Sequence, residues 1–445
     1  MENGSAAAER IGGYRPDAEA NGGVTAVPAL LQTGAHERGA SRRHICVVTE
    51  TYPPEVNGVS FTLAHLVKGL RAQGHAVSLV RPRQRNSDCA GSGHDSRLTL
   101  VRGLPLPGYK GLQFGLPSGA ALRRSWLRDR PDAVYVATEG PLGLSAARMA
   151  RRLGIAAFSG FHTNYHSYSK HYRLGWLEQW VMRYLRAFHN RTTGTLVPSP
   201  ELRERLEAVG FRNVSVLGRG VDSKVFAPER RCAEMRGRWG LFDKDLAVLY
   251  VGRLAPDKNL GLAIDAYRAM RRVRDSIRFI IVGDGPLRAS LQREHPDLVF
   301  PGLQTGEQLA RHYASADVFL FPSETETFGN VTLEAMASGL VVIAYNYAAA
   351  KIHITHGETG VLVPYADSTA FIESAARLVL KPQSFHRIRR QAREYAASIG
   401  WPEVVASFAA LLTARAQSQV VADTSLTRRG LAARPQQGGC KDVAG

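Results

Sequence analysis

Short apolar runs alternate with amphipathic stretches along most of this chain, and the alternation comes in two sets. HICVVT (44–49), HAVSLV (75–80), AVYVA (133–137), IAAFS (155–159) and TLVPS (195–199) are each five or six residues long. That is strand length rather than helix length, and near-continuous apolar character marks strands buried on both faces of a parallel sheet. Helical periodicity fills the gaps, as in FTLAHLVKGLRAQG (61–74) and PLGLSAARMARRLG (141–154). The second set runs LAVLYVG (246–252), a helix at 259–274, RFIIVG (278–283), a helix at 286–294, DVFLFPS (317–323), a helix from about 330, LVVIAY (340–345) and GVLVP (360–364). Strand–helix alternation calls for parallel pairing and right-handed crossovers. The chain is therefore predicted to be α/β, with two Rossmann-like domains facing a cleft and ligands at the carboxyl ends of the strands.

The boundaries follow from where the pattern stops. Residues 1–42 are rich in Ala, Gly and Glu without periodicity and read as a disordered lead. The first domain is expected over 43–222, a polar connection over 223–243, the second domain over 244–400, a last helix over 401–418 and a disordered tail over 419–445. No apolar run approaches the ~18 residues a membrane span needs. The start has neither a basic segment nor an apolar one, so a secretory leader is not expected. Cys46, Cys89, Cys232 and Cys440 are too few and too scattered for a disulfide framework or a zinc motif, which predicts a reducing, cytoplasmic setting.

The charge is lopsided. The chain carries 57 Lys+Arg against 39 Asp+Glu, a formal +18. Residues 43–242 hold 30 basic and 14 acidic side chains, net +16, whereas 243–414 hold 18 of each. A field confined to one half points to an anionic partner of that half: nucleic acid, a membrane surface or an acidic substrate.

The loops narrow the chemistry. After the first strand, ETYPPEVNGVS offers Pro53-Pro54 for an extended turn and Asn57-Gly58 for close approach of a ligand. A single glycine there argues against dinucleotide binding, and no P-loop motif occurs. GDGP at 283–286 is a weak phosphate-loop fragment. Arg253 and Lys258 lie past a strand and before a helix, where two cations suit the oxygens of a diphosphate. In SETETFGNVTLEAMASG (323–339), Thr327, Phe328, Gly329 and Asn330 form a small turn at a helix start, an anion-binding arrangement. Glu326 and Glu334 beside an anion site call for a ligand that carries hydroxyls next to phosphates. Phosphate, hexose and ribose together describe a nucleotide sugar.

With TETYPPEVNGVS, FHTNYHSY (161–168), GRGVD (218–222), VGRLAPDKN, VGDGP and the paired-Glu segment together, residues 43–415 resemble retaining glycosyltransferases of family four, which have the GT-B fold. Within the family, GRGVD and YNYAAAKIHI (345–354), where many relatives carry a Gly-Gly turn, resemble bacterial GDP-mannose-dependent α-mannosyltransferases and sulfolipid-synthase-like enzymes that glycosylate lipids. The resemblance implies that Gly58 abuts the diphosphate and that His162 faces the reacting sugar near its 6-hydroxyl. It implies that Arg253 and Lys258 hold the diphosphate, and that Glu326 holds the sugar 3- and 4-hydroxyls with backbone help from Phe328, Gly329 and Asn330. Glu334 then holds the ribose, Arg219 and Asp222 line the hinge side, and the terminal helix crosses back onto the first domain.

No enzyme nucleophile is placed for double displacement, so front-face attack is expected, with the departing phosphate accepting the acceptor's proton. The cationic clamp can replace a divalent ion, so no metal and no cofactor beyond the nucleotide-sugar substrate is expected. His162, His166 and His171 invite a metal reading, but no Cys joins them. HYRLGWLEQWVMRYLRAFHNR (171–191) places Trp176 and Trp180 among Arg183 and Arg186, and GAALRRSWLRDR (119–130) adds Arg123, Arg124 and Trp126. Basic amphipathic helices with Trp suit an anionic membrane surface. The expected protein is a peripheral enzyme on the inner face of the cytoplasmic membrane with a lipid or glycan acceptor and no nucleic-acid partner. A UDP-sugar donor acting on a diacylglycerol or a soluble polysaccharide precursor stays open as an alternative. So does an inactive sugar-nucleotide-binding or nucleic-acid-binding protein, although Arg253, Lys258, Glu326 and Glu334 are all present.

Overall fold

The computed structural model describes residues 42–55, 57–84, 97–105, 113–162, 175–242, 244–380 and 382–414. The first half contains β1 (His44–Val48), β2 (Ala76–Pro82), β3 (Leu98–Val101), β4 (Gly103–Pro105), β5 (Gln113–Gly115), β6 (Ala133–Val136), β7 (Ala156–Gly160), β8 (Gly194–Val197) and β9 (Val214–Val216). Among the described residues, seven of these form one parallel sheet in the order β3-β2-β1-β6-β7-β8-β9, while β4 and β5 pair as a small antiparallel ribbon. The second half contains β10 (Leu246–Val251), β11 (Ile277–Val282), β12 (Val299–Gly302), β13 (Val318–Phe321), β14 (Val341–Tyr345) and β15 (Val361–Val363), ordered β12-β11-β10-β13-β14-β15 and again parallel. Ile45–Val48 and Ala247–Val251 are buried throughout, as expected for strands covered on both faces.

In each sheet the strand order reverses beside the first strand, between β1 and β6 and between β10 and β13, and such switch points open a crevice at the strands' carboxyl ends. The helix Gly58–Ala72 begins at the first crevice. Asn57 caps it, its Oδ1 accepting from Ser60 N at 2.9 Å, and Leu63, Leu66, Val67 and Leu70 form its buried stripe.

The expected connection 223–243 is built into the second half. It contains the turn Pro228–Arg230 and the helix Ala233–Arg238, and Met235, Trp239 and Leu241 join the second core. Arg236, Arg231 and Arg389 converge on the buried Asp317 at 3.1, 3.0 and 3.2 Å.

The last described helix, 401–414, crosses back to the first sheet as expected. Val404, Val405, Phe408 and Leu412 share a core with Leu63, Leu66 and Val67. Gly69 makes the close approach possible, because a Cβ there would stand 2.4 Å from Val405 Cγ2. The outgoing and returning segments touch at the hinge, where Val221 N donates to Ile399 O at 3.0 Å. Among the described residues no helix is long and apolar enough to cross a membrane.

Candidate active site

The two crevices face each other across a cleft of about 600 Å³. Thr51 follows β1, His162 follows β7, and Asn57, Gly58, Val59 and Thr62 bring the start of the helix Gly58–Ala72 to the same wall. A Cβ on Gly58 would meet nothing within 4 Å, so any side chain there would project into open cleft. Gly252, Arg253, Asp257 and Lys258 after β10, and Thr325–Val331 after β13, form the opposite wall.

The second wall is electrostatically prearranged. Lys258 Nζ donates to Glu326 Oε1 at 2.6 Å and to Thr325 O at 3.0 Å. Ser323 Oγ donates to the same Glu326 oxygen at 2.8 Å, and Tyr347 Oη donates to the Glu326 carbonyl at 3.0 Å. Arg253, half-exposed, donates to Asp257 Oδ1 at 2.9 Å. Gly329 takes φ +93°, the left-handed turn that starts the helix Asn330–Ala337, whose first residues, Asn330 and Val331, line the cleft. Behind it, Ala348 holds φ +50° and Ala349 N donates to Phe328 O at 2.8 Å, which ties the YNYAAAK turn to the back of the site.

On the first wall, the His162 ring meets Tyr135 Oη at 3.1 Å and Arg219 Nη2 at 3.3 Å, and its carbonyl accepts from Thr327 Oγ1 at 3.3 Å. Burial, then Arg219 and His189, push His162 down to about 3, so its ring is neutral. Arg219 is buried and donates through Nη1 to Leu217 O and Gly218 O.

Gly58, His162, Arg219, Arg253, Lys258, Glu326, Phe328, Gly329 and Asn330 therefore line one cleft. Two residues stand apart. Asp222 does not line the cleft; its Oδ1 accepts from Lys224 N and Val225 N and closes the hinge turn. Glu334 sits half-buried inside its helix, where burial lifts it to about 7 and Tyr313 Oη donates to Oε2 at 3.0 Å. Asp257, Tyr135 and Tyr347 were not singled out in the sequence, whereas Thr327 was, as part of the turn at the helix start. The Arg253–Asp257 pair spans i,i+4 outside any α-helix, so helical spacing gave no signal for it.

The basic surface is partly as expected. On the helix Gly175–His189, Trp180, Arg183, Tyr184 and Arg186 are exposed, with the Arg183 guanidinium 5.5 Å from the Trp180 ring centroid, while Leu185 and Phe188 are buried. On the helix Gly119–Arg128, Arg123, Arg124 and Leu127 are exposed. Trp126 corrects the expectation: it is 2% exposed, four residues after the buried Leu122 on the inward face, and belongs to the core. The Trp176 side chain, His166 and His171 lie outside the described residues.

Two Rossmann-like sheets facing a cleft, with a cationic pair and a helix start on one wall, define a glycosyltransferase of GT-B architecture. Residues 56–225 match the family described as Glycosyltransferase Family 4, and residues 245–381 match Glycosyl transferases group 1. The chain is 35% identical to a GDP-mannose-dependent alpha-mannosyltransferase of Mycobacterium tuberculosis, over 81% of this chain and 93% of that protein. It is 30% identical to a GDP-mannose-dependent alpha-(1-6)-phosphatidylinositol dimannoside mannosyltransferase of the same species, over 85% of this chain and 98% of that protein. Its fold is similar to that of sucrose-phosphate synthase from Thermosynechococcus elongatus, with TM-score 0.67, 19% identity, and coverage of 88% of this chain and 100% of that one. The chain belongs to glycosyltransferase family 4 and is a hexosyltransferase.

Proposed function

We propose that the chain transfers mannose from GDP-mannose, with retention, to a lipid or lipid-linked acceptor at the inner face of the cytoplasmic membrane. The supporting observation is the Lys258–Glu326 contact beside Arg253 and the start of the helix Asn330–Ala337: cations and N–H groups for a diphosphate directly beside a carboxylate for sugar hydroxyls. The choice of GDP-mannose leans on the 35% identical relative. In this reading residues 43–222 receive the acceptor and 244–400 hold the donor.

The chemistry follows from the charges. As the bond from the sugar C1 to the diphosphate breaks, negative charge grows on the leaving oxygen, where Arg253, Lys258 and the helix start stabilise it. The acceptor oxygen bonds C1 on the same face and its proton passes to the departing phosphate, giving GDP and the glycoside. Glu326 orients the sugar, and Glu334 takes the ribose once its contact with Tyr313 opens to the ligand. The cationic clamp does the work of a divalent ion, so activity is expected to survive EDTA; loss on chelation with recovery in Mg²⁺ would overturn that.

Thermal shift with GDP, UDP and ADP tests the donor. GDP at about 100 times its Kd is expected to stabilise by about 2.7 kcal/mol. A larger response to UDP or ADP sinks the GDP-mannose reading.

A further inference from the structure

His162 is held at both ring nitrogens, and the nature of the two partners leaves one tautomer. A guanidinium has only N–H donors, so beside Arg219 Nη2, at 3.3 Å, Nδ1 offers its lone pair. The proton of the neutral ring is then on Nε2, which donates to Tyr135 Oη at 3.1 Å. The opposite tautomer, or an imidazolium, would turn a ring N–H against the N–H of Arg219.

The arrangement is built from several directions. Tyr135 is 1% exposed on β6, and its ring meets the edge of Phe408, from the returning helix 401–414, at 4.9 Å. A Cβ on Gly160 would stand 2.2 Å from Tyr135 Oη and 2.5 Å from His162 Nε2, so glycine at 160 is what lets hydroxyl and ring meet. Arg219 is fixed independently by the carbonyls of Leu217 and Gly218 at 3.0 and 3.2 Å. Its contact to Nδ1 is longer than these, so an incoming hydroxyl can take that lone pair while Arg219 keeps its carbonyl partners.

The geometry points to Tyr135 as a positioning residue for the transfer. Arg219 sets His162 as the Nε2–H tautomer and Tyr135 accepts that N–H and holds the ring, so that His162 meets a sugar hydroxyl through Nδ1, as a hydrogen-bond acceptor. This rests on the hexosyl-transfer reading. It assigns His162 no acid–base role: the ring receives a hydrogen bond and passes no proton on.

The test is a ¹⁵N spectrum of the full chain labelled at histidine, at pH 7, with the His162 signals assigned by loss in His162→Gln. Protonated and bare nitrogens of a neutral imidazole resonate far apart. The parent protein is expected to show a neutral His162 with its proton on Nε2. Tyr135→Phe, which keeps the ring against Phe408 and leaves Arg219 at Nδ1, is expected to keep that tautomer but to move the Nε2 signal, whose N–H has lost its acceptor. Its kcat with GDP-mannose should fall about fivefold, the size of one neutral hydrogen bond, with the KM for GDP-mannose and the thermal shift with GDP unchanged. An Nδ1–H tautomer or an imidazolium in the parent overturns the inference, as does a Tyr135→Phe variant with the parent's turnover. The parent spectrum stands whether or not the variant folds. It needs no donor, so failure of the GDP-mannose reading would show separately, as a missing GDP shift.

Discussion

Lys258 Nζ lies 2.6 Å from Glu326 Oε1, joining the loops after β10 and β13 across 68 residues of sequence. Both side chains are mostly shielded from water, so this pair is stronger than a surface salt bridge, and each partner fixes the other's position. In the proposed role, a diphosphate that enters the cleft does not have to order a free Lys258 side chain.

Removing either cation tests the clamp. Arg253→Ala and Lys258→Ala are each expected to lower kcat a hundredfold or more, in line with the about 2.7–4 kcal/mol lost with a single preorganised donor. Steady-state kinetics with GDP-mannose decide it, and near-normal turnover in both variants rejects the clamp.

In the proposed ribose role, Glu334 is expected to make donor binding depend on pH. Burial raises its carboxyl from the ordinary 4.5 to about 7, so the folded protein holds a proton there that the unfolded chain has released. This group's contribution to stability therefore falls as pH rises from about 4.5 to about 7. Its use as an acceptor from ribose runs the other way, because only the ionised carboxylate accepts through both oxygens. The KM for the nucleotide sugar is expected to fall between pH 6 and 8, and Glu334→Gln to flatten that slope. Equal slopes in parent and variant rule the assignment out.

Two glycines should respond oppositely to the same methyl group. At Gly220 a Cβ would lie 2.7 Å from Gly400 C and from Trp401 N, backbone atoms that cannot step aside. Gly220→Ala is expected to cost about 1–3 kcal/mol, as overpacking does, and to lower the Tm. At Gly58 the methyl meets open cleft in a helical position, so Gly58→Ala should keep or raise the Tm while raising the KM for the donor. Calorimetry and kinetics on the two variants separate the effects.

The basic face is tested by charge reversal at Arg123, Arg124 and Arg183, all exposed. Each basic side chain near an anionic surface contributes about 1 kcal/mol, so the triple Glu variant should lose co-sedimentation with phosphatidylglycerol vesicles at 0.15 M salt while keeping its thermal shift with GDP. A parent protein that ignores such vesicles refutes the membrane reading. Trp126 should be left alone, since truncating it would open the core.

The central strands were legible because burial on both faces makes them unbroken apolar words, such as IAAFS and RFIIVG. Of the strands overlooked, β3, β9 and β12 stand at sheet edges, where one side lacks a neighbour and the sequence need not be apolar throughout, and the short β4 and β5 form a ribbon of their own. Arg253, Lys258 and Glu326 were legible because charge concentrated at strand ends is unusual. Tyr135 was not, because in AVYVA it reads as one more core residue, and its partner His162 lies 27 residues away. Trp126 misled because arginines surround it in sequence, whereas the helix turns it to the opposite side. Asp222 was placed by its motif, and its carboxylate serves the turn instead.

The returning helix 401–414 also bears on the order of assembly. By sequence it is the end of the second half; by packing, Val405, Phe408 and Leu412 belong to the core of the first. A ribosome delivers the chain from its N-terminus, and domains generally fold as they emerge. Here the first sheet to be made is the last to be covered, and the face carrying Leu63, Leu66 and Val67 waits uncapped for more than three hundred residues of synthesis.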